Sequence, residues 1–162
     1  MDSKDANSNL IKIKSSDGQI FEIEERGLDR AKLFKELKEI LNLKEELPFD
    51  VDSKNLKKII EFLNYYIYEI PKAIPKPLPS SDLKQVLSEW DYNYIISLSI
   101  EETVDLVNAA NYMNINHLIN LACSRLASEM TNCSMEEARE KFGIHADMTE
   151  EEMHEYDHYP LD

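Results

Sequence analysis

One apolar-periodic segment closes and a second opens within the eight residues Asn108-Ala109-Ala110-Asn111-Tyr112-Met113-Asn114-Ile115. A helix pair joined this tightly presents surface, not a reaction centre, and no catalytic or metal motif elsewhere in the chain competes with the run. Over residues 101–113, Glu101 and Glu102 fall in the N-terminal turn, where the helix dipole favours negative charge. Val104, Leu106, Val107, Ala110 and Met113 put apolar groups on more than one side of that helix. Over residues 117–130 the stripe Ile119, Cys123, Leu126, Met130 is regular, and Leu118, Leu121 and Ala122 add a second apolar face. A helix apolar over more than one stripe must be covered twice. One side faces its own domain, and the other needs a further layer or a partner.

Upstream, residues 10–14 and 19–23 alternate in character and flank Ser15-Ser16-Asp17-Gly18, where Asp-Gly supplies the positive-φ position of a tight hairpin turn. Leu33, Phe34, Leu37, Ile40 and Leu41 recur at helical spacing and predict a short amphipathic helix. Residues 47–51 are too short and too Pro-broken for a helix, which leaves an edge strand or an extended connection. Asp52 or Ser53 can cap the next helix, whose Leu56, Ile59, Ile60, Leu63, Tyr66, Ile67 and Ile70 hold the 3.6 period until Pro71 stops it. Four prolines within residues 71–79 predict a surface loop over 71–82. A proline-rich ligand for an aromatic groove is the competing reading of that loop. Trp90 is expected to anchor its segment onto the core.

Composition narrows the function classes. Hydrophobic content of 43% in 162 residues suits one globular domain with an appendage. Three glycines disfavour Gly-rich phosphate loops, and a net charge of −14 repels phosphate backbones, so neither nucleic acid nor an anionic membrane is an expected partner. No stretch approaches 18 apolar residues, and Met1-Asp2-Ser3-Lys4-Asp5 lacks a signal-peptide core. Two cysteines fit a reducing compartment, so a cytoplasmic or nuclear location is expected.

The C-terminal portion differs in kind. Ser134 and Glu137 match a capping box for a short helix reaching about Phe142, and Thr149 with Glu152 repeats the pattern. From residue 135 onward 10 acidic residues face only Arg139 and Lys141, a net of −8. Few apolar groups remain to hold this tail onto the domain, and Phe142 and Ile144 are its best anchors. It is expected to pack loosely alone and to order against a partner.

These residues resemble the Skp1 family, adaptors of SCF-type (Skp1–cullin–F-box) ubiquitin ligases, over nearly the whole length. The likeness runs through Ile11-Lys12-Ile13-Lys14-Ser15-Ser16-Asp17-Gly18-Gln19-Ile20-Phe21-Glu22 and Asn55-Leu56-Lys57-Lys58-Ile59-Ile60. It continues in Trp90-Asp91, Ala109-Ala110-Asn111-Tyr112-Met113-Asn114-Ile115, Glu136-Glu137-Ala138-Arg139-Glu140-Lys141-Phe142 and Thr149-Glu150-Glu151-Glu152. No single piece is specific; their shared order and spacing are.

The resemblance implies an α+β fold, a BTB/POZ-like domain of a small sheet plus helices, followed by a C-terminal helical extension that forms the F-box-binding face. The expected division is a flexible N-terminus at 1–9, the BTB/POZ-like domain at 10–130 and the acidic extension at 131–162. It implies a non-catalytic adaptor without cofactor or metal, bridging a cullin N-terminal domain to F-box proteins, and weakly homodimeric when alone. By position, Asn111 and Tyr112 would serve the cullin face, and Ile119, Cys123, Leu126, Met130, Phe142 and Ile144 the F-box face. The chain departs from the pattern where Met135 replaces the usual Pro and Ala138 a larger aliphatic. Thr131-Asn132-Cys133 replaces a basic turn, the Trp-containing end is absent, residues 26–43 match poorly, and Glu150 occupies the place of a proline that some lineages modify.

Other readings carry less. His154 and His158, with Cys133 or His145, have a spacing that zinc accepts but lack the paired cysteines of a structural site. Cys123, set in an apolar stripe, reads as a small hydrophobe and not a nucleophile. An elongin-C-like adaptor would end near residue 130. A BTB/POZ scaffold outside the SCF complex would form a stable homodimer with no affinity for F-box peptides.

Overall fold

The structure is a computed structural model and describes residues 9–40, 46–131 and 133–144. The chain divides into two compact units, Met1–Thr131 and Asn132–Asp162. Among the described residues the fold is α+β, with a three-stranded sheet and eight helices.

Strands β1 (Leu10–Lys14) and β2 (Ile20–Glu24) pair antiparallel, with Ile11 opposite Ile23 and Ile13 opposite Phe21. Alternation does the sorting: Ile11, Ile13 and Ile23 are buried, while Leu10, Lys12 and Lys14 face outward. The turn needs Gly18, whose φ is 85°, and Ser15 locks it by donating its hydroxyl to the Gln19 carbonyl (3.1 Å) and accepting the Gln19 N–H (2.9 Å). The second strand starts at Ile20, one residue later than the alternation suggests. Strand β3 (Leu47–Pro48) lies parallel to β1 in the order β2-β1-β3, the edge position where a proline lacking an N–H is tolerated.

Helices α1 (Glu25–Leu28) and α2 (Lys32–Ile40) follow the hairpin. Phe34 is fully buried, with Leu33 and Leu37 half-buried beside the core. Ile40 is 80% exposed, so the apolar stripe ends before it, and Leu41 lies outside the described residues. The N–H groups of Lys32 and Leu33, orphan donors at a helix start, are taken by the carbonyls of Asn114 and Met113 at 3.3 and 3.4 Å.

Helix α3 (Ser53–Tyr65) is capped by Asp52, whose side chain accepts the Asn55 N–H, and it buries Leu56, Ile59, Phe62 and Leu63 completely. It stops at Tyr65, short of the end expected at Pro71, and Ile70 is 90% exposed. Arg30 explains part of this. Its guanidinium donates to the carbonyls of Tyr66 (2.8 Å) and Glu69 (2.9 Å), engaging the backbone beyond the helix end. Residues 71–82 form the surface loop that the prolines predict.

After the loop come α4 (Leu83–Val86) and α5 (Glu89–Ile96). Trp90 of α5 stacks on Tyr65 at 3.9 Å and on Tyr94 at 5.0 Å, anchoring α5 onto α3 as expected. Helix α6 (Ile100–Tyr112) carries a complete capping box between Ser99 and Glu102. The link to α7 (Asn116–Thr131) turns on Asn114, which adopts φ 54° between the buried Met113 and Ile115. In the second unit α8 (Met135–Lys141) has its own capping box between Ser134 and Glu137 and ends at Phe142, in line with its sequence signature. The matching signature at Thr149 and Glu152 lies outside the described residues.

Candidate interaction faces

Helix α7 is split lengthwise. Leu118, Leu121 and Ala122 are fully buried in the core, and Ser124, 4% exposed, turns its hydroxyl back onto the Leu121 carbonyl at 2.7 Å. On another side Ile119 and Leu126 are half-buried, Cys123 is exposed and Met130 is 51% exposed. Four of the six residues assigned by resemblance to the F-box face thus lie along one helix. Phe142, half-buried, and Ile144, 52% exposed, belong to the second unit, where the Ile144 N–H bonds the Arg139 carbonyl at 2.9 Å. Burial of such aliphatic groups by a partner is worth about 25 cal/mol per Å² of apolar surface.

The residues assigned to the cullin face close α6. Asn111 is exposed, and its carbonyl accepts the Asn114 N–H at 3.0 Å. Tyr112 is 44% exposed, and its phenolic oxygen accepts the Asp50 N–H at 3.2 Å, which ties the helix end to the segment after β3. Sequence reasoning did not single out the exposed row that continues from Tyr112. Val104, Asn108 and Tyr112, four residues apart, run down the outside of α6, with Asp105 beside them. That spacing is visible in the sequence.

An open cleft of about 400 Å³, lined by Ser16, Asp50, Val51, Asp52, Asn55, Asp105, Asn108 and Ala109, lies in the same region. Its assembly from three distant segments is not visible in the sequence. Asp52 is committed internally: burial raises its carboxyl, but the Asn55 N–H (2.9 Å) and side-chain amide (2.7 Å) outweigh that and hold it below its ordinary value. Asp17 is lowered by the hydroxyls of Ser15 and Ser53, accepting the Ser53 hydroxyl at 2.5 Å and its N–H at 2.9 Å. The Ser99 N–H, with Lys54 and Lys58, brings Glu102 down to about 2. Each of these carboxylates supports structure by accepting donors.

No described helix is long and apolar enough to cross a membrane. Cys133 is the one described member of the zinc alternative; His145, His154 and His158 lie outside the described residues.

Residues 9–68 match the tetramerisation domain of the Skp1 family, and residues 116–156 match its dimerisation domain. The first match spans the hairpin through α3 and identifies the α+β domain as BTB/POZ-like. The chain is 30% identical over 149 residues to the S-phase kinase-associated protein 1 homolog of Tetrahymena thermophila, covering 91% of this chain and 90% of that protein. It is 31% identical over 154 residues to SKP1-like protein 15 of Arabidopsis thaliana, covering 91% and 87%. It is also 31% identical over 147 residues to the E3 ubiquitin ligase complex SCF subunit sconC of Arthroderma benhamiae, covering 90% and 89%. With both family domains in order and relatives similar along their length, the chain belongs to the Skp1 family.

Proposed function

We propose that the chain is a non-catalytic adaptor of an SCF-type E3 ubiquitin ligase, joining a cullin N-terminal domain to F-box substrate receptors in the cytoplasm or nucleus. One observation carries most of the reading: α7 is buried along Leu118, Leu121 and Ala122, and leaves Cys123 and Met130 exposed in one stripe with the half-buried Ile119 and Leu126. Such a helix is a ready platform for a partner's apolar groups. A relative bears the name of an SCF subunit, and α8 lies beyond the point where an elongin-C-like chain would end. The outer row of α6 supplies a separate polar and aromatic face around Asn111 and Tyr112.

Co-purification with an F-box segment and, separately, with a cullin N-terminal domain tests the proposal. The wild-type chain should retain both. Cys123→Asp, which puts an unpaired charge into an apolar contact at an exposed position, should lose the F-box segment and keep the cullin. Tyr112→Lys should do the reverse, with circular dichroism confirming the fold of each variant. Failure of the wild-type chain to hold either partner would refute the adaptor reading and favour a BTB/POZ scaffold.

A further inference from the structure

The proline-rich loop crosses α7 and borders the stripe just described at Asn120. Lys76 donates its ammonium to the Asn120 side-chain oxygen at 2.6 Å, and the Ser128 hydroxyl donates to the Ser81 carbonyl at 2.6 Å. Those contacts lie eight residues apart, so the loop spans about two turns of α7 and passes from the flank of the stripe at Asn120 to the far side of the helix at Ser128. The loop alternates. Ile74 and Leu78 pack against the core, whereas Pro75, Pro77 and Pro79 are exposed. Four prolines and two hydrogen bonds make it a stiff strap, with little conformational freedom left to lose on binding.

Its charge runs against that of the chain. The net charge is −14, yet residues 70–81 contain Lys72 and Lys76 and no carboxylate. Lys72 is exposed, and Lys76 spends one of its three donors on Asn120. Asn120 stands three residues before Cys123, so the two are neighbours on the helix surface. A helix laid on the stripe is about 10 Å across with its side chains and would overlap the bank at Lys76, with Lys72 four residues before it in the strap.

We infer that the strap is a second, selective contact for the F-box segment, and that it favours segments with carboxylates along the flank facing Lys72 and Lys76. The inference rests on the adaptor reading. Its sign is diagnostic, because a chain of this net charge would otherwise repel an acidic peptide.

The test uses one F-box segment with four Glu or four Ser residues appended to either end, titrated against the full chain by calorimetry. From one end the Glu form should bind about three- to tenfold more tightly than the Ser form at low salt, with the advantage fading near 0.5 M salt. The double variant Lys72→Glu, Lys76→Gln should abolish the advantage of the Glu form over the Ser form, while the glutamine amide retains a donor for Asn120. Equal affinity of Glu and Ser forms from both ends in the wild-type chain overturns the inference, as does an advantage that survives in the double variant. If Cys123→Asp abolishes binding while the strap variant changes nothing, only the strap inference falls. If no form binds the wild-type chain, the adaptor reading falls with it.

Discussion

The Tyr66 hydroxyl donates a 2.7 Å hydrogen bond to the carboxylate of Asp91, which is 1% exposed. His117 lies 3.7 Å from the other carboxylate oxygen, so one side chain links the end of α3, helix α5 and the first turn of α7. Tyr66→Phe keeps the ring and leaves the buried oxygen short of a donor, at a cost of about 1–3 kcal/mol. For a chain of this size that is roughly a 2–4 °C loss in Tm per kcal/mol, readable by thermal melting. An unchanged Tm would show that Asp91 finds its donors elsewhere.

Asp91 also sets a pH dependence. Burial raises its carboxyl, but His117, Tyr66 and Ser88 together outweigh burial and hold it below the ordinary 3.8. A carboxylate lowered by folding contributes stability that is present above its unfolded value and is lost as pH falls through the folded one. Asp91→Asn should therefore be less stable than the wild type at pH 7. The gap should narrow below about pH 4. Paired denaturant titrations at pH 7 and at acid pH check this; a gap constant with pH would sink it.

What was legible in the sequence was whatever local periodicity decides. Alternating Ile11 and Ile13, Gly18 in the turn, the Asp52 cap and the double-faced α7 all follow from neighbours a few residues apart. The misreadings come from distant partners. Ile70 continues the helical period of α3, yet the helix has ended at Tyr65 and Arg30, 36 residues before Tyr66, holds the backbone beyond. Ile40 looks like a core position and is 80% exposed. Asn111 and Tyr112, proposed for a cullin face, were nameable by resemblance, but Asp50, 62 residues away, could be joined to Tyr112 only by the fold.

Asn114 offers a backbone test. Its φ of 54° is uncommon for a residue with a side chain, and Asn tolerates it better than most. Asn114→Gly should be neutral or slightly stabilising, whereas the β-branched Asn114→Val should cost about 1–2 kcal/mol. Because the Asn114 and Met113 carbonyls receive the first N–H groups of α2, the Val variant should also speed hydrogen exchange at Lys32 and Leu33. Equal stability of the Gly and Val variants would count against the left-handed link.

Ser99 and Glu102 separate a cap from a charge. Ser99→Ala removes the acceptor for the Glu102 N–H at 3.1 Å and should cost about 1 kcal/mol. The Glu102 carboxylate still accepts the backbone N–H of residue 99, so its lowered value of about 2 should persist in the variant. Its contribution is present above the ordinary 4.5 and disappears as pH falls towards 2. Glu102→Gln should flatten that part of the acid profile, and Ser99→Ala should shift the profile down without changing its shape.

The exposed side of α7 should also be the route by which the chain meets itself. Cys123 and Met130 are the stripe's accessible members, and neither belongs to the buried core among the described residues. An uncovered apolar row favours weak, concentration-dependent dimerisation. Met130→Lys changes a side chain already 51% exposed, so it should leave stability within about 0.5 kcal/mol of wild type while lowering self-association in sedimentation velocity. An F-box segment added to the wild-type chain should produce the same drop, because both partners compete for one surface. Self-association that persists undiminished in Met130→Lys, or in the presence of bound F-box segment, would assign the dimer to another face and leave the α7 stripe to the F-box alone.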